Sequence, residues 1–281
     1  MNQSHCHRRC SLNGGAVSCA CTPGCRAAQH QGGGRVSPGE AHVAPYSRRE
    51  RLRIATIREI KDVARTLLVQ EGPENVTIRA IAREMGMTAP AVYRYFSSRD
   101  ALILQLRVDI FEEMARFMRG VLGQHPEEEP GRRWISGARA LRVWAIKHPH
   151  EFGLILGPWA PGLGREETKP ERHMSWVFGS VYSDLVADLW RVRGFPAPEV
   201  EELDPGLATT LTALSEDQDV DMPPGAIAVM LRCWVRLYGV ISMEALGHMS
   251  FALSEGQHFF EFELRDLCRV LDIAEFYEEV V

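Results

Sequence analysis

From residue 47 onward, apolar residues recur at steps of three and four, as in Ile54, Ile57 and Ile60. This is the period of an amphipathic α-helix, and no run of useful length alternates with the period of a β-strand. The breaks between the periodic segments contain the Gly and Pro residues that end helices, as at Gly72-Pro73. The pattern therefore predicts an all-α protein of about ten helices, and the chain shows no internal repeat.

Side chains that can cap helices set the predicted boundaries. The helical pattern begins at Ser47 and first ends at Gly72-Pro73; Thr77 and Thr88 then cap two short helices, and Ser98 caps a fourth that reaches about residue 121. Six further helices are predicted at 131–148, 149–157, 170–194, 198–214, 223–247 and 255–279.

Residues 77–96, T-I-R-A-I-A-R-E-M-G-M-T-A-P-A-V-Y-R-Y-F, predict two short helices joined by a tight turn at Gly86. Pro90 falls in the first turn of the second helix, where its missing N–H costs nothing. Small residues begin that helix and aromatic residues end it, so it can approach base edges in the major groove of DNA. The stretch predicts a helix-turn-helix; the alternative is a hairpin of the core in which Tyr93 and Tyr95 are half-buried packing residues. The residues expected to lock the two helices together are Ile78, Ile81, Ala82, Met85, Met87, Val92 and Phe96.

The candidate DNA contacts divide by chemistry. Arg79 can make a bidentate contact to guanine, and Ala89, Pro90 and Ala91 can touch thymine methyl groups. Side chains that can donate to phosphates are Thr77, Thr88, Tyr93, Arg94, Tyr95 and Arg99.

The net charge of −5 argues against a nucleic-acid partner until its distribution is considered. Residues 1–46 carry a net +3, and residues 47–107 carry twelve Lys and Arg against seven Asp and Glu, a net +5. Residues 108–281 carry a net −13. A basic head on an acidic body suits a protein that presents one face to phosphate.

The stretch T-I-R-A-I-A-R-E-M-G-M-T-A-P-A-V-Y-R-Y-F-S-S-R-D-A-L resembles the DNA-binding region of TetR-type transcriptional regulators. The resemblance covers residues 50–106 and includes the basic first helix, R-x-I-A and Y-x-Y-F. It implies that Arg79, Ala89, Pro90, Ala91 and Tyr93 approach bases, and it places the other candidates at phosphates. Arg99 stands where Lys is commoner. Ala89 and Ala91 replace polar residues of some members, so specificity is expected to rest more on Arg79 and DNA shape.

The resemblance also implies a homodimer on a palindromic operator, which agrees with the few base contacts that one helix-turn-helix can make. The stretch C-W-V-R-L-Y-G-V-I-S-M-E-A-L-G-H is similar to the C-terminal region of a subset of these regulators. In the wider family the last two helices pair with their symmetry mates, so we expect 223–247 and 255–279 to form the dimer interface; the alternative is that both are internal core helices. The expected interface residues are Met230, Trp234, Leu237, Ile241, Leu267 and Leu271.

We expect a small-molecule effector, largely apolar or aromatic, to bind among the helices of residues 98–194. His148-Pro149-His150-Glu151-Phe152 resembles a P-x-x-F feature that starts a helix near the effector pocket in this family. The candidate pocket residues are Trp144, His148, Phe152, Trp159, Trp176, Phe178 and Tyr182.

Residues 1–46 are rich in Gly, Ser, Cys and Pro, lack helical or strand periodicity, and are expected to be disordered. Five of the seven cysteines lie there, but their spacing matches no standard zinc finger, so no metal ligand is assigned. A metal- or redox-responsive regulator that uses this Cys/His tail stays an alternative. Cys233 and Cys268 are expected to be buried small apolar residues.

The sequence thus predicts three segments: a tail at 1–46, a helix-turn-helix domain at 47–97, and a helical effector-binding and dimerisation domain at 98–281. The expected function is that of a DNA-binding regulator, a repressor that a small molecule releases. An enzyme is the rival of another class, but the chain has no nucleotide-binding Gly-rich loop, no H-E-x-x-H and no G-x-S-x-G, and no cofactor is expected. With neither a signal-peptide core nor an uninterrupted apolar run of membrane-spanning length, a cytoplasmic protein without a membrane partner is expected.

Overall fold

A computed structural model of the chain describes residues 47–127, 129–156, 169–217, 221–253 and 255–279, with side chains except at 169–180 and 216–217. The chain divides into residues 1–46 and 47–281, and the first unit, which holds the cysteine-rich tail, lies outside the described residues. Throughout the described ranges every regular element is helical, as the periodicity predicts. The helices are α1 (Arg48–Glu71), α2 (Ile78–Glu84), α3 (Ala89–Tyr93), α4 (Arg99–Leu122), α5 (Pro130–Lys147), α6 (Pro149–Leu156), α7 (Lys169–Val192), α8 (Pro205–Asp217), α9 (Pro224–Ala245) and α10 (Gly256–Val270).

Two of the three expected caps, Thr77 and Ser98, hold their helices, and Ser47 caps the helix that was predicted to begin there. The hydroxyls of Ser47, Thr77 and Ser98 accept hydrogen bonds from the backbone N–H groups three residues on, at 3.1–3.2 Å. Each bond satisfies one of the N–H groups that a helix start leaves without a partner. Thr88 stands at the N-cap of α3, but its hydroxyl makes no capping hydrogen bond. The Thr88 hydroxyl is therefore not committed to holding its own helix.

Two predicted helices are wrong in their extent. The helix predicted at 198–214 is a 3₁₀ turn, Val200–Glu202, followed by α8, which begins at Pro205. The Asp204 carboxylate accepts from the N–H groups of Gly206 and Leu207, so the Asp-Pro pair starts a new helix. The helix predicted at 255–279 ends at Val270 and gives way to a second turn, Ala274–Phe276. It ends because Asp272 adopts a φ of 53°, which no α-helix continues.

The core forms around α4, which packs against α5, α6 and α7 in the body and against α1 at the N-terminal end. α1, α2 and α3 bury Ile60, Ile81 and Val92 completely. The first turns of α4 close this small N-terminal core through Leu102, which is also completely buried. The first three helices are thus joined to the body by a continuous apolar core.

The remaining body packs α9 against α5, α8 and α10. Cys233 and Cys268, on α9 and α10, are fully buried thiols, as predicted. By length and composition α9 could also cross a membrane, but a core helix of a soluble protein passes the same test. Its buried residues, such as Ile227 and Ile241, give α9 that core role.

Candidate nucleic-acid interface

The turn between α2 and α3 is closed by a Schellman motif. Gly86 adopts a φ of 62°, in the left-handed region that suits glycine. Around it, the N–H of Met87 donates to the carbonyl of Ala82 at 2.8 Å, and the N–H of Gly86 donates to Arg83 at 3.2 Å. These are the two hydrogen bonds that define the motif. They end α2 sharply at Glu84 and allow α3 to start at Ala89.

The apolar residues expected to lock the two helices do so. Ile78, Ile81, Ala82, Val92 and Phe96 are buried, and Met85 and Met87 are half-buried against the same core. With this face committed to packing, the opposite face of the α2–α3 unit is presented to solvent. The arrangement is that of a helix-turn-helix with one free face.

The candidate DNA-contacting residues differ in how accessible they are. Arg79, Thr88, Pro90, Tyr93 and Arg94 are exposed, and Tyr93 keeps 52 % of its surface. The candidates that are half-buried are Thr77, Ala89, Ala91, Tyr95 and Arg99. An exposed tyrosine of this size at the end of a short helix has little packing function here, which argues against the hairpin alternative for Tyr93.

The Arg99 guanidinium is already used inside the protein. Its Nε donates to the carbonyl of Val76 at 2.6 Å, and a terminal nitrogen donates to the carbonyl of Pro73 at 2.7 Å. Both carbonyls belong to the link between α1 and α2, so Arg99 fastens the start of α4 to that link. Two of its nitrogens therefore have backbone partners, and the phosphate contact expected of Arg99 stays a prediction for its remaining N–H donors.

In the body, the described effector-pocket candidates fall into two aromatic groups. Trp144 and His148 lie with ring centroids 5.0 Å apart. Tyr182 lies 5.0 Å from Trp234, and Trp234 stacks on Tyr238 at 5.6 Å. Phe152 meets that chain of rings at Tyr238, 6.3 Å away. Trp159, Trp176 and Phe178 lie outside the residues whose side chains the structure describes.

In the second group, two tyrosine hydroxyls donate to backbone carbonyls. The Tyr182 hydroxyl donates to the carbonyl of Met230 at 3.2 Å, and the Tyr238 hydroxyl donates to the carbonyl of Leu156. Burial raises the pKa of the Tyr182 phenol well above its usual value and that of the Cys233 thiol to about 11, so both stay protonated. Sequence reasoning assigned Trp234 to the dimer interface and did not place Tyr238 among the pocket candidates, although the two lie four residues apart on one helix face.

The predicted dimer interface needs correction at the level of side chains. Leu237, Ile241, Leu267 and Leu271 are buried within a single chain, as is Met230. A side chain that its own chain already covers offers no surface to a partner. Trp234 is half-buried in the aromatic group described above. Other apolar residues on α9 and α10 are exposed: Leu231, Val235, Phe259 and Phe262.

The Cys/His tail of the metal-responsive alternative lies outside the described residues. Within the part of the chain that is described, no group of three or more His, Cys, Asp or Glu residues is arranged to hold a metal ion.

Comparisons with known proteins agree with the geometry in both halves. The family model for bacterial regulatory proteins of the tetR family matches residues 60–106, and the model for the tetracyclin repressor-like C-terminal domain matches residues 134–267. The HTH-type transcriptional regulators Rv1816 of Mycobacterium tuberculosis and Mb1846 of Mycobacterium bovis are each 27 % identical over 197 residues, 67 % of this chain and 80 % of theirs.

Solved structures extend the comparison to the fold. The crystal structure of the regulatory protein SCO4313 is 29 % identical with a TM-score of 0.59, and the match covers 79 % of this chain and 98 % of that one. A protein of unknown function from Rhodococcus sp. RHA1 is 17 % identical with a TM-score of 0.52, over 75 % of this chain and 94 % of that one. The second likeness concerns the fold alone.

Proposed function

The chain belongs to the TetR family of bacterial regulatory proteins, and on that premise we propose that it is a homodimeric cytoplasmic repressor released from a palindromic operator by a small molecule. It is a helix-turn-helix transcriptional regulator that binds DNA. The proposal rests mainly on the two different faces of the α2–α3 unit. One face is locked into the core, and the other exposes Arg79, Pro90 and Tyr93.

The DNA contacts that we propose follow from this exposed face. Arg79 reads a guanine through its guanidinium fork, while the small start of α3 lets the backbone approach the base edges. The residues proposed to lie at bases are Arg79, Ala89, Pro90, Ala91 and Tyr93, and those at phosphates are Thr77, Thr88, Arg94 and Tyr95. The exposed hydroxyl of Thr88, which is not used as a cap, supports its assignment to phosphate.

We propose that the dimer forms through the outer faces of α9 and α10. Val235 and Phe262 keep 65 % and 64 % of their surface exposed, and Phe259 stacks on Phe262 with centroids 6.2 Å apart. Arg236 on α9 is 2.6 Å from Glu263 and 2.7 Å from Asp266 on α10, and these ion pairs hold the two helices together. An exposed apolar surface bordered by charged residues is typical of a protein–protein interface.

For the effector, we propose a largely apolar or aromatic small molecule that binds beside the aromatic group of Phe152, Tyr182, Trp234 and Tyr238. This group joins α6, α7 and α9, so a ligand that inserts there separates helices that now touch. α6 is the helix that would carry the change outward, since it packs on both α1 and α4. The effect on DNA affinity would be a shift between two conformations, for which a few kcal/mol suffices.

Selection of bound duplexes from a random-sequence pool tests the DNA-binding part of this proposal. We expect an inverted repeat whose half-sites lie about one helical turn apart, or a multiple of it. Arg79→Ala should cost about 1–3 kcal/mol of binding free energy and relax the preference at one base pair of each half-site. Arg119→Ala, which removes an exposed arginine from α4 in the body, is the matched control. A recovered site without symmetry, or an Arg79→Ala variant that behaves like the control, would contradict the assignment.

A further inference from the structure

The first two turns of α1 are a part of the DNA-binding unit that the helix-turn-helix does not explain. Residues 47–55 are all exposed, and the first fully buried residue of the helix is Ile60. The segment nevertheless begins with a complete capping box. The Ser47 hydroxyl accepts from the N–H of Glu50 at 3.2 Å, and the Glu50 carboxylate accepts from the N–H of Ser47 at 2.8 Å. A helix start with no core beneath it is thus held in shape by its own hydrogen bonds.

This exposed segment is strongly basic. Residues 47–55 contain four arginines and one glutamate. The segment is the exposed start of a 24-residue helix, and the capping box at Ser47 stabilises this end where the core does not cover it. A charged, capped helix that projects beyond the core is suited to binding a polyanion, and it lies in the same compact unit as the helix-turn-helix.

One arginine of the segment is positioned directly on the recognition unit. The Arg53 guanidinium lies 5.4 Å above the centre of the Tyr95 ring. One of its terminal nitrogens lies 3.5 Å from the carbonyl oxygen of Arg94. The ring fixes the orientation of the guanidinium by a cation–π contact, and most of its five N–H donors stay unused by these two contacts. Arg53 therefore lies next to Arg94 and Tyr95, the two residues at the end of α3 that we propose at phosphates.

Helical register places a second arginine in line with the first. Arg49 precedes Arg53 by four residues, so both lie on the face of α1 that continues into Ile57, Ile60 and Ala64. That face packs on the core at Ile60 and Ala64 and passes the recognition unit at Arg53. Arg49 is one helical turn, about 5.4 Å, further out. Arg58 is exposed on the opposite face of the same helix.

We propose that Arg49 and Arg53 form a second DNA contact, in which their guanidinium groups bind backbone phosphates that flank the half-site read by α3. The inference rests on the proposed function, because it requires the recognition helix to lie in a major groove. It extends the footprint of each protomer beyond the bases that α3 can reach. The contact is to phosphate, so it adds affinity and fixes orientation without adding sequence preference.

The salt dependence of binding tests this inference in the full-length protein. Affinity for the duplex recovered by selection is measured between about 50 and 300 mM salt for the wild type, Arg49→Ala, Arg53→Ala and Arg58→Ala. Each phosphate contact contributes about 0.9 to the slope of log K against log salt. Since a dimer has two copies, Arg49→Ala and Arg53→Ala should each lower the slope by about 1.8, while Arg58→Ala leaves it unchanged. Phosphate-ethylation interference should show flanking positions that matter for the wild type but not for the first two variants.

The possible outcomes separate the inference from the function on which it rests. If the wild type binds the duplex but Arg49→Ala and Arg53→Ala give the slope of Arg58→Ala, the second contact is rejected and the regulator remains. If those two variants lower the slope but also lose a preference for A·T-rich flanks that the wild type shows, the arginines enter the minor groove and the phosphate assignment is rejected. If the wild type has no affinity for any duplex, the proposed function itself is overturned. Arg49→Ala should unfold at the same denaturant concentration as the wild type because Arg49 is exposed, and Arg53→Ala at a slightly lower one because it loses the contacts to Tyr95 and Arg94.

Discussion

At the scale of single residues, the helix-turn-helix depends on the backbone conformation of one turn residue, Gly86. A Cβ added to Gly86 would have no heavy atom within 4 Å, so space does not restrict this position. Its φ of 62° does restrict it, because a side chain disfavours the left-handed region. The sequence could predict this residue, since a turn between two short helices needs a left-handed position and glycine supplies it most easily.

We therefore expect Gly86→Ala to lower the free energy of unfolding by about 1 kcal/mol, with a smaller loss for Gly86→Asn, because asparagine tolerates the left-handed region better. Gly120→Ala is the matched control. Gly120 lies inside α4, where an added Cβ also meets nothing within 4 Å and φ is ordinary. That change should stabilise the protein by about 0.5–1 kcal/mol. Urea denaturation of the three variants measures the change in the free energy of unfolding. If Gly86→Ala and Gly120→Ala change it by the same amount, the conformational argument is refuted.

Arg99 shows where residue-level reasoning reaches its limit. An arginine at the start of α4, close to a recognition helix, has the chemistry of a phosphate ligand. The same chemistry suits carbonyl oxygens, and here the nearest acceptors are those of Pro73 and Val76. Both acceptors precede Arg99 by more than twenty residues, and only the folded chain brings them within reach.

At the scale of elements, the sequence predicts helices better than it predicts which side chains of a helix lie in the core. The periodicity of α9 and α10 correctly indicates two amphipathic helices with large apolar stripes. Each helix also has apolar residues outside that stripe, such as Val235 and Phe262. A stripe has the same appearance whether it faces its own chain or a symmetry mate, so the buried and exposed residues could not be assigned from period alone.

Helix boundaries, too, are only partly predictable from the sequence. The start of α8 could have been predicted from Asp204-Pro205, a cap followed by a proline in the first turn. The end of α10 could not, because the residue that leaves the helix is Asp272 rather than a glycine or proline. Its backbone completes a Schellman motif in which the N–H of Ile273 donates to the carbonyl of Cys268 at 2.8 Å.

The proposed interface gives a prediction at this scale. Val235→Glu should convert the dimer to a monomer at micromolar concentration, because it introduces a charge into an apolar contact that a partner would have to desolvate. Val192→Glu is the control, since Val192 is a valine with 52 % of its surface exposed at the end of α7. Sedimentation equilibrium measures the association of both variants. Neither change should alter the monomer fold, as both side chains are exposed; equal association would place the dimer contact elsewhere.

At the scale of the whole molecule, α1 belongs to both halves of the protein. Its N-terminal turns lie beside the recognition unit, and its C-terminal half is fastened to the body by Arg65. The Arg65 guanidinium donates to both carboxylate oxygens of Glu113 on α4, at 2.6 and 3.0 Å. It also donates to Glu151 on α6 at 3.3 Å. Since α6 also carries Phe152 of the aromatic group, Arg65 joins the DNA-binding helices to one of the three helices at the proposed effector site.

How much this junction, the ion pairs of Arg65 with Glu113 and Glu151, contributes to stability depends on how deeply its residues are buried. Glu151 is 5 % exposed, whereas Arg65 and Glu113 are about a third exposed. Removing the guanidinium leaves a buried carboxylate beside the His148 ring, whose Nδ1 lies 3.7 Å away. We expect Arg65→Ala to destabilise the protein by about 2–3 kcal/mol, below the range for a fully buried pair because solvent reaches part of the site. Adding Glu151→Gln to that variant should recover part of the lost unfolding free energy, because a neutral amide leaves no unpaired charge in the buried site.

Acid provides the decisive check on the junction. The hydrogen bonds and charge of Arg65 lower the pKa of Glu113 below its usual value. A carboxyl whose pKa is lower in the folded state stabilises the protein above its unfolded-state pKa and loses that contribution as the pH falls through the folded-state pKa. The Arg65→Ala variant lacks the largest part of this contribution, since the hydrogen bond from Arg65 is the main cause of the lowered pKa. The difference in unfolding free energy between wild type and variant should therefore be largest near pH 7 and shrink below about pH 4.5. If the difference in unfolding free energy stays constant across this pH range, the arginine acts through packing alone. The coupling of α1 to the body would then depend on van der Waals contacts rather than on the ion pairs of Arg65.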